Sequence, residues 1–349
     1  MVIFLGSRKT QRNSLLRRSS TVMSARSFWK RAFAPFLVLA VAHTVGLAQY
    51  TTQEYAAYES AINADPAKRE DAIIEFIETN PRSTLVEYAT SSYLQLMQEY
   101  QNQGEIQKVL SAGEKFVSIR PDNFQTLFMT GYAAFSLRQF EKATKYAENA
   151  YAQNPDGGIA FILAMSYLSL KNDDKVIEYE EKACAESAPP ECVQLFGPLS
   201  RIYFGRKQWI EAAQYAKRSI EALDAAERPA QSPEREWNEY ITKQKAAAYA
   251  IIGREAAERK SWEAVISNYG NVLRISEDSA LNSEAYYYTG RGQWEQKQMD
   301  SAMEAFAKGS IQRGAPHAKH CRQYLETLYK SSHNGSLAGL EEFVERVTR

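Results

Sequence analysis

Residues 124–157, FQTLFMTGYAAFSLRQFEKATKYAENAYAQNPDG, read as two short helices broken near Arg138-Gln139 and closed by Pro155. Counting Phe124 as position 1, Gly131 falls at 8, Ala143 at 20, Ala150 at 27 and Pro155 at 32. Small residues at 8 and 20 let the two helices of one pair cross closely, and the small residue at 27 admits the next pair. Proline cannot continue a helix, so Pro155 ends the second one. A single pair of this size buries too little apolar surface to stand alone, and it therefore predicts more of itself on either side.

The neighbours are present. Upstream, a repeat starting near Thr90 places Met97 at 8, Gly104 at 15, Phe116 at 27 and Pro121 at 32. Downstream, one from Gly157 has Ala164 at 8 and Ala183 at 27, and one from Val193 has Ser200 at 8, Trp209 at 17 and Ala212 at 20. The register then breaks. Residues 222–237, with Pro229 and Pro233, read as a loop insertion. Two further repeats follow, with Gly253 and Gly290 at 8, Trp262 and Met299 at 17, and Tyr269 and Phe306 at 24.

The ends are degenerate, as caps should be. At the start lies a helix over 50–64, then Asp65-Pro66 as cap and first residue of a helix that ends at Asn80-Pro81. At the end a helix through Tyr324, Leu325 and Leu328 is followed by one that Ser336 caps, with Leu337, Leu340, Phe343 and Val347 on one face.

This spacing resembles the tetratricopeptide repeat, whose unit is about 34 residues. The resemblance covers residues 50–349. It implies an all-α fold, a right-handed superhelical solenoid of antiparallel helix pairs, about seven of them with terminal capping helices.

Residues 1–48 differ in kind. They hold eight basic residues from Arg8 to Arg31 and no acid; removing these from the 42 Lys and Arg leaves 34 against 42 acidic residues, a net −8. That balance disfavours nucleic acid as a partner. The basic stretch runs into an apolar one and then into small residues before Gln49, the pattern of a secretory signal cut after Ala48. The apolar run is about 16 residues, short of the roughly 20 that span a bilayer. The expected location is periplasmic or secreted, and an uncleaved anchor in the inner membrane is the alternative. Met23 is a second candidate start.

The three cysteines match no zinc pattern. Cys184 and Cys192 either bridge a loop or are two small residues near helix ends, and Cys321 has no evident partner. His317 and His320, one helical turn apart, read as an exposed helix face, with weak metal binding as the alternative.

Nothing points to catalysis: there is no GxxxxGK, GxSxG or HExxH, and Gly157-Gly158 reads as a helix-ending pair. No cofactor and no metal are expected, and the chain reads as a protein-binding scaffold.

The resemblance implies a concave groove lined by first helices, chiefly at positions 2, 5, 9, 12 and 13. On this sequence those positions give Phe128, Tyr132, Phe135, Phe161, Met165 and Leu168, an apolar half. They also give Arg201, Phe204, Arg254, Tyr287, Arg291 and Trp294. Arginine stands at position 9 in three repeats, which suits carboxylates of a protein or peptide partner. The competing reading pairs each arginine with a nearby acid, Glu255, Glu258, Glu284 or Glu295. A Lys and Asn clamp found in some chaperone-binding relatives is absent, since positions 5 and 9 hold Leu94/Gln98, Phe128/Tyr132 and Phe161/Met165.

Overall fold

The structure, a computed structural model, describes residues 50–184, 190–230 and 232–349, with no side chains described for 190–192. The signal-peptide reading of 1–48, the cut after Ala48 and the start at Met23 lie outside the described residues. So does the partnership of Cys192 with Cys184.

The described residues form sixteen α-helices and one short 3-10 helix, without strands. They are α1 Thr52–Ile62, α2 Arg69–Thr79, α3 Val86–Asn102, α4 Ile106–Ile119, α5 Phe124–Ser136, α6 Phe140–Gln153, α7 Gly157–Ser169 and α8 Asp173–Ala183. After the 3-10 helix Pro190–Leu195 come α9 Phe196–Gly205, α10 Trp209–Ala225, α11 Glu234–Glu258, α12 Trp262–Ile275, α13 Ser279–Glu295, α14 Met299–Ser310, α15 Ala318–Ser332 and α16 Leu340–Thr348. The chain divides after Cys192 into an N-terminal body holding α1–α8 and a C-terminal body holding α9–α16. Within each body consecutive helices pack as antiparallel pairs.

One turn is used six times. In every repeat from α3 onward the second helix begins at position 17, and position 15 is left-handed. That residue is Gly104, Arg138, Lys171, Lys207, Lys260 or Lys297, with φ between 58° and 77°. The next residue's amide then bonds back to a carbonyl five residues earlier, as Gln139 to Ala134 (2.8 Å) and Ser261 to Ala256 (2.8 Å). This is a Schellman closure of the first helix. A left-handed side chain costs about 1–2 kcal/mol. A cation at a helix C-terminus offsets part of that through the dipole, which accounts for Lys and Arg where glycine is easiest.

Position 20 is the invariant floor of the core: Val109, Ala143, Val176, Ala212, Val265 and Ala302 are all buried. The close approach at position 8 is made against position 24 rather than 20. A Cβ on Gly131 would meet the Ala147 nitrogen at 3.1 Å, one on Gly253 the Tyr269 ring at 2.8 Å, and one on Gly290 the Phe306 ring at 2.7 Å. In the α3–α4 pair the sizes are exchanged. Met97 stands at 8, and a Cβ on Gly113 at 24 would meet the Met97 methyl at 3.2 Å. Across this crossing a large residue faces a small one in three of the pairs, while Gly131 and Ala147 are both small.

Several boundaries differ from expectation. The helix α3 begins at Val86, not near Thr90, because Leu85 and Val86 are themselves buried. Pro66 sits in a turn ahead of α2 instead of opening it; the Asp65 carboxylate accepts from the Ala67 amide at 2.9 Å, and the helix starts at Arg69. Gly157-Gly158 opens α7 and does not end a helix. Asp156 caps it, accepting from Gly158 (2.7 Å) and Ile159 (3.2 Å). Replacing that cap, Asp156→Ala, is expected to lower the stability of the N-terminal body by about 1 kcal/mol. The change should show as a lower urea midpoint at unchanged m.

The expected loop over 222–237 is helical at both ends. The α10 helix continues to Ala225 and α11 starts at Glu234, and residues 226–230 and 232–233 between them are outside helices. Pro233 precedes the first turn, where its missing amide costs nothing, and Glu234 and Glu236 favour that helix end. An ion pair between Lys245 and Asp224 ties the two extended helices together. At the C-terminus Ser336 accepts from the Ala338 amide (3.0 Å) in a turn, while Gly339 stands at the cap of α16 with φ 84°. Leu337 is accordingly outside the helix and exposed, and Leu340 and Val344 carry its packing.

Candidate functional site

In the N-terminal body the apolar positions lie on α5 and α7, two first helices in direct contact. Tyr132 and Phe161 are only 8% and 7% exposed, so most of their surface is already covered. Phe128 is half-buried and stacks on Phe124 at 6.3 Å. Phe135 packs edge-on to Phe140 and against the core; Met165 and Leu168 are half-buried. The accessible part of this surface is therefore narrower than the sequence positions suggest.

The C-terminal body brings its positions into one connected strip. Arg254 donates to Glu258 at 3.1 Å and to the Tyr288 hydroxyl, and its guanidinium lies over the rings of Tyr288 (4.9 Å) and Trp209 (5.8 Å). Trp209 in turn packs against Phe204 at 5.2 Å. Arg291 lies over Trp262 and Tyr287, 5.8 Å from each. Tyr287 is the hub. It touches Tyr288 (5.0 Å), His317 (5.2 Å), His320 (6.0 Å) and Tyr324 (5.8 Å), and Trp294 reaches the same Tyr324 at 5.6 Å. Arg201 stands apart and donates to Gln244 on α11 at 3.4 Å.

The three arginines do not share one fate. Only Arg254 takes a neighbouring glutamate. Glu255 is held by Arg259 in a two-point contact, and Glu284 accepts from the buried Tyr269 hydroxyl at 2.8 Å. Among the described residues neither Arg201 nor Arg291 forms an ion pair. Burial pushes the Tyr287 hydroxyl up, while Arg291 beside it pulls the other way. His317, expected on an exposed face, is instead half-buried at the start of α15. Burial holds its imidazole below the usual value, and its Nδ1 is covered and unpartnered.

Residues outside the five groove positions complete the strip: Trp209, Trp262, Tyr288, His317 and Tyr324. The two tryptophans carried a signal. Both stand at position 17, where each meets the position-9 arginine of the following repeat. A hollow of about 710 Å³ in the N-terminal body is lined by Arg69, Glu70, Tyr100, Lys108 and Lys115. Both of its lysines are already paired with carboxylates, Lys108 with Glu105 and Lys115 with Glu70 and Asp71.

The helices thus define a tetratricopeptide-like array of antiparallel pairs. No protein-family model matches the chain. Over 131 residues, 37% of this chain, it is 25% identical to a Bos taurus protein described as BBSome complex member BBS4. The match spans 24% of that relative's length, about a quarter. Among solved structures, PilF of Pseudomonas aeruginosa has 12% identity and a TM-score of 0.38, with 68% of this chain and 98% of that one covered. A tetratricopeptide repeat protein of Parabacteroides merdae has 15% identity and a TM-score of 0.37, covering 79% and 99%. Yeast Tom70 has 13% identity and a TM-score of 0.36, covering 84% and 57%. Scores this low carry no argument about function, and the architecture rests on the helix pairs themselves.

Proposed function

We propose that this chain is a non-catalytic scaffold that binds a protein or peptide partner on the faces of its first helices. The single observation that supports it most is the strip on α11, α13 and α15. It offers rigid aromatic rings and a guanidinium that no carboxylate among the described residues has taken, the residue types that dominate protein interfaces. The proposed setting is the cell envelope of a bacterium, periplasmic or secreted. The basic, apolar and small-residue order of residues 1–48 supports that setting. Native protein beginning at Gln49 would agree with it; residues 1–48 retained in a membrane fraction would instead make this an anchored subunit.

Photo-crosslinking tests the binding face. Benzoylphenylalanine placed at Phe128 or Tyr287, on first helices, is expected to trap a partner in cells. The same group at Ile210, an exposed position on the second helix α10, is expected to trap none. Equal trapping at 210 would move the interface off the first helices and remove this reading.

A further inference from the structure

We propose that the α11–α13–α15 strip binds an acidic polypeptide segment, with Arg291 as its fixed cation and His317, beside His320, as a second, proton-dependent one. The inference rests on the scaffold reading and names the chemistry of the partner.

Three of the four glutamates near the strip are committed, and the fourth, Glu295, is exposed and forms no ion pair with Arg291 among the described residues. Glu258 is engaged by Arg254, Glu255 by Arg259, and Glu284 by Tyr269. Arg291 is left with its charge unmatched and half-buried between Trp262 and Tyr287. A guanidinium held against aromatic rings has its orientation fixed in advance. It keeps N–H groups at its edge for a carboxylate, which it can bind through two parallel bonds. A lysine would be a more mobile point charge. The occupant is thus a chain carrying Asp or Glu, and the rings of Tyr287, Tyr324 and Trp294 give it apolar contact beside the ion pair.

The histidines also lie against Tyr287, His317 at 5.2 Å and His320 at 6.0 Å from its ring, and 6.1 Å from each other. Around His317 stand Glu284, Tyr287 and Tyr288 from α13, Arg254 from α11, and His320 from its own helix. Glu284 favours the protonated imidazole; burial, Arg254 and His320 oppose it. Without a ligand His317 is therefore neutral near neutral pH. A carboxylate placed beside it stabilises the imidazolium, so binding takes up a proton, and affinity rises as pH falls through the histidine range.

The test uses the full chain and a fluorescein-labelled peptide of alternating Glu and Leu, with the Gln and Leu peptide as its neutral counterpart, read by anisotropy. The acidic peptide is expected to bind at least about tenfold more tightly than the neutral one. Arg291→Gln removes most of that preference and Arg291→Lys restores part of it. Arg274→Gln, on α12 and away from the strip, leaves it unchanged. Lowering the pH from about 7.5 to about 5.5 is expected to tighten acidic-peptide binding severalfold, and the double change His317→Gln with His320→Gln abolishes that gain. Circular dichroism of each variant separates lost binding from lost fold.

Equal affinity for both peptides, no change in Arg291→Gln, or tighter binding of a single-stranded RNA overturns the proposal. No binding of the acidic peptide also overturns it. In that case trapping at position 287 but not at 210 would leave the scaffold reading standing with a partner of other chemistry.

Discussion

Gly290→Val is expected to lower the stability of the C-terminal body by about 2–3 kcal/mol. Most of that loss should vanish when Phe306 is shortened in the same chain. The cause is the crossing of α13 and α14. A Cβ on residue 290 would lie 2.7, 2.8 and 2.9 Å from three carbons of the Phe306 ring. That ring has no room to retreat, being fully buried and stacked on Tyr324 at 5.3 Å and 16°. Valine adds a branched side chain at the contact and gains little helix propensity to offset the clash. Phe306→Ala alone leaves a cavity and is expected to cost about 3–5 kcal/mol. In the double variant the valine fills part of that space, so the two losses should fall short of their sum by about 1–2 kcal/mol. Urea titrations of the four proteins give the coupling directly. Agreement with simple addition to within about 0.5 kcal/mol would mean that the crossing is not the controlling contact. Gly131 supplies the contrast. Its neighbour across the pair is the Ala147 backbone nitrogen at 3.1 Å, so no side-chain change at 147 can rescue a larger residue there.

That size exchange also shows how far the sequence could be read. Position 20 was legible because it is apolar and small to medium in every repeat, and a fully buried floor tolerates nothing else. The partnership of 8 with 24 was hidden because either position can hold the larger residue, and in one pair both are small. Met97 with Gly113, Gly131 with Ala147 and Gly290 with Phe306 look unrelated until the helices are brought into contact. The stretch 222–237 misled because Pro229, Pro233 and a run of charged residues usually mark a loop. Here Pro233 precedes a helix start, and Asp224, Glu234, Arg235 and Glu236 lie on exposed helix ends while Glu227 and Arg228 stay in the connection. Among the proposed site residues, Arg254 lies on α11 and Tyr287, Arg291 and Trp294 on α13, where their ring and cation contacts link them. Helix spacing also offered the ion pairs within α11, since Glu258 follows Arg254 by four residues and Arg259 follows Glu255 by four. What spacing did not show is that Arg291 lies between two rings without taking Glu295, four residues on. His317 was misjudged because a helix start between two tyrosine rings buries a residue that periodicity leaves exposed.

High pH offers a test of both bodies at once, because each has a tyrosine sealed in its core. Tyr93 is fully buried and donates to the Ala112 carbonyl at 2.9 Å. Tyr269 is fully buried and donates to Glu284 at 2.8 Å. Burial and a nearby glutamate push both hydroxyls far above the ordinary value of 10.0, and Tyr167, bonded to Glu148 at 2.5 Å, is raised as well. The folded protein therefore holds these protons more tightly than the unfolded chain does. Below pH 10 both states are protonated and the contribution to stability is complete. Above it the unfolded chain ionises first, binds fewer protons, and is favoured by each further rise in pH. One sealed tyrosine changes stability by at most about 1.4 kcal/mol per pH unit in that range, so each body should lose stability steadily as the pH rises above 10. The expected result is an abrupt loss of helical circular dichroism that coincides with a late step in tyrosinate absorbance. Tyr93→Phe removes the alkaline slope contributed by that residue in the N-terminal body, and Tyr269→Phe does the same in the C-terminal body. Each substitution also removes a buried hydrogen bond, at a cost of about 1 kcal/mol at neutral pH. In Tyr269→Phe the partly buried Glu284 carboxylate is then freed. By the reasoning that leaves Arg291 unmatched, it becomes a competing internal partner for the strip, and weaker acidic-peptide binding is expected in that variant. Tyrosinate absorbance rising in full near pH 10, with the helices still intact, would show that these hydroxyls are open to solvent and that the cores are looser than their packing implies.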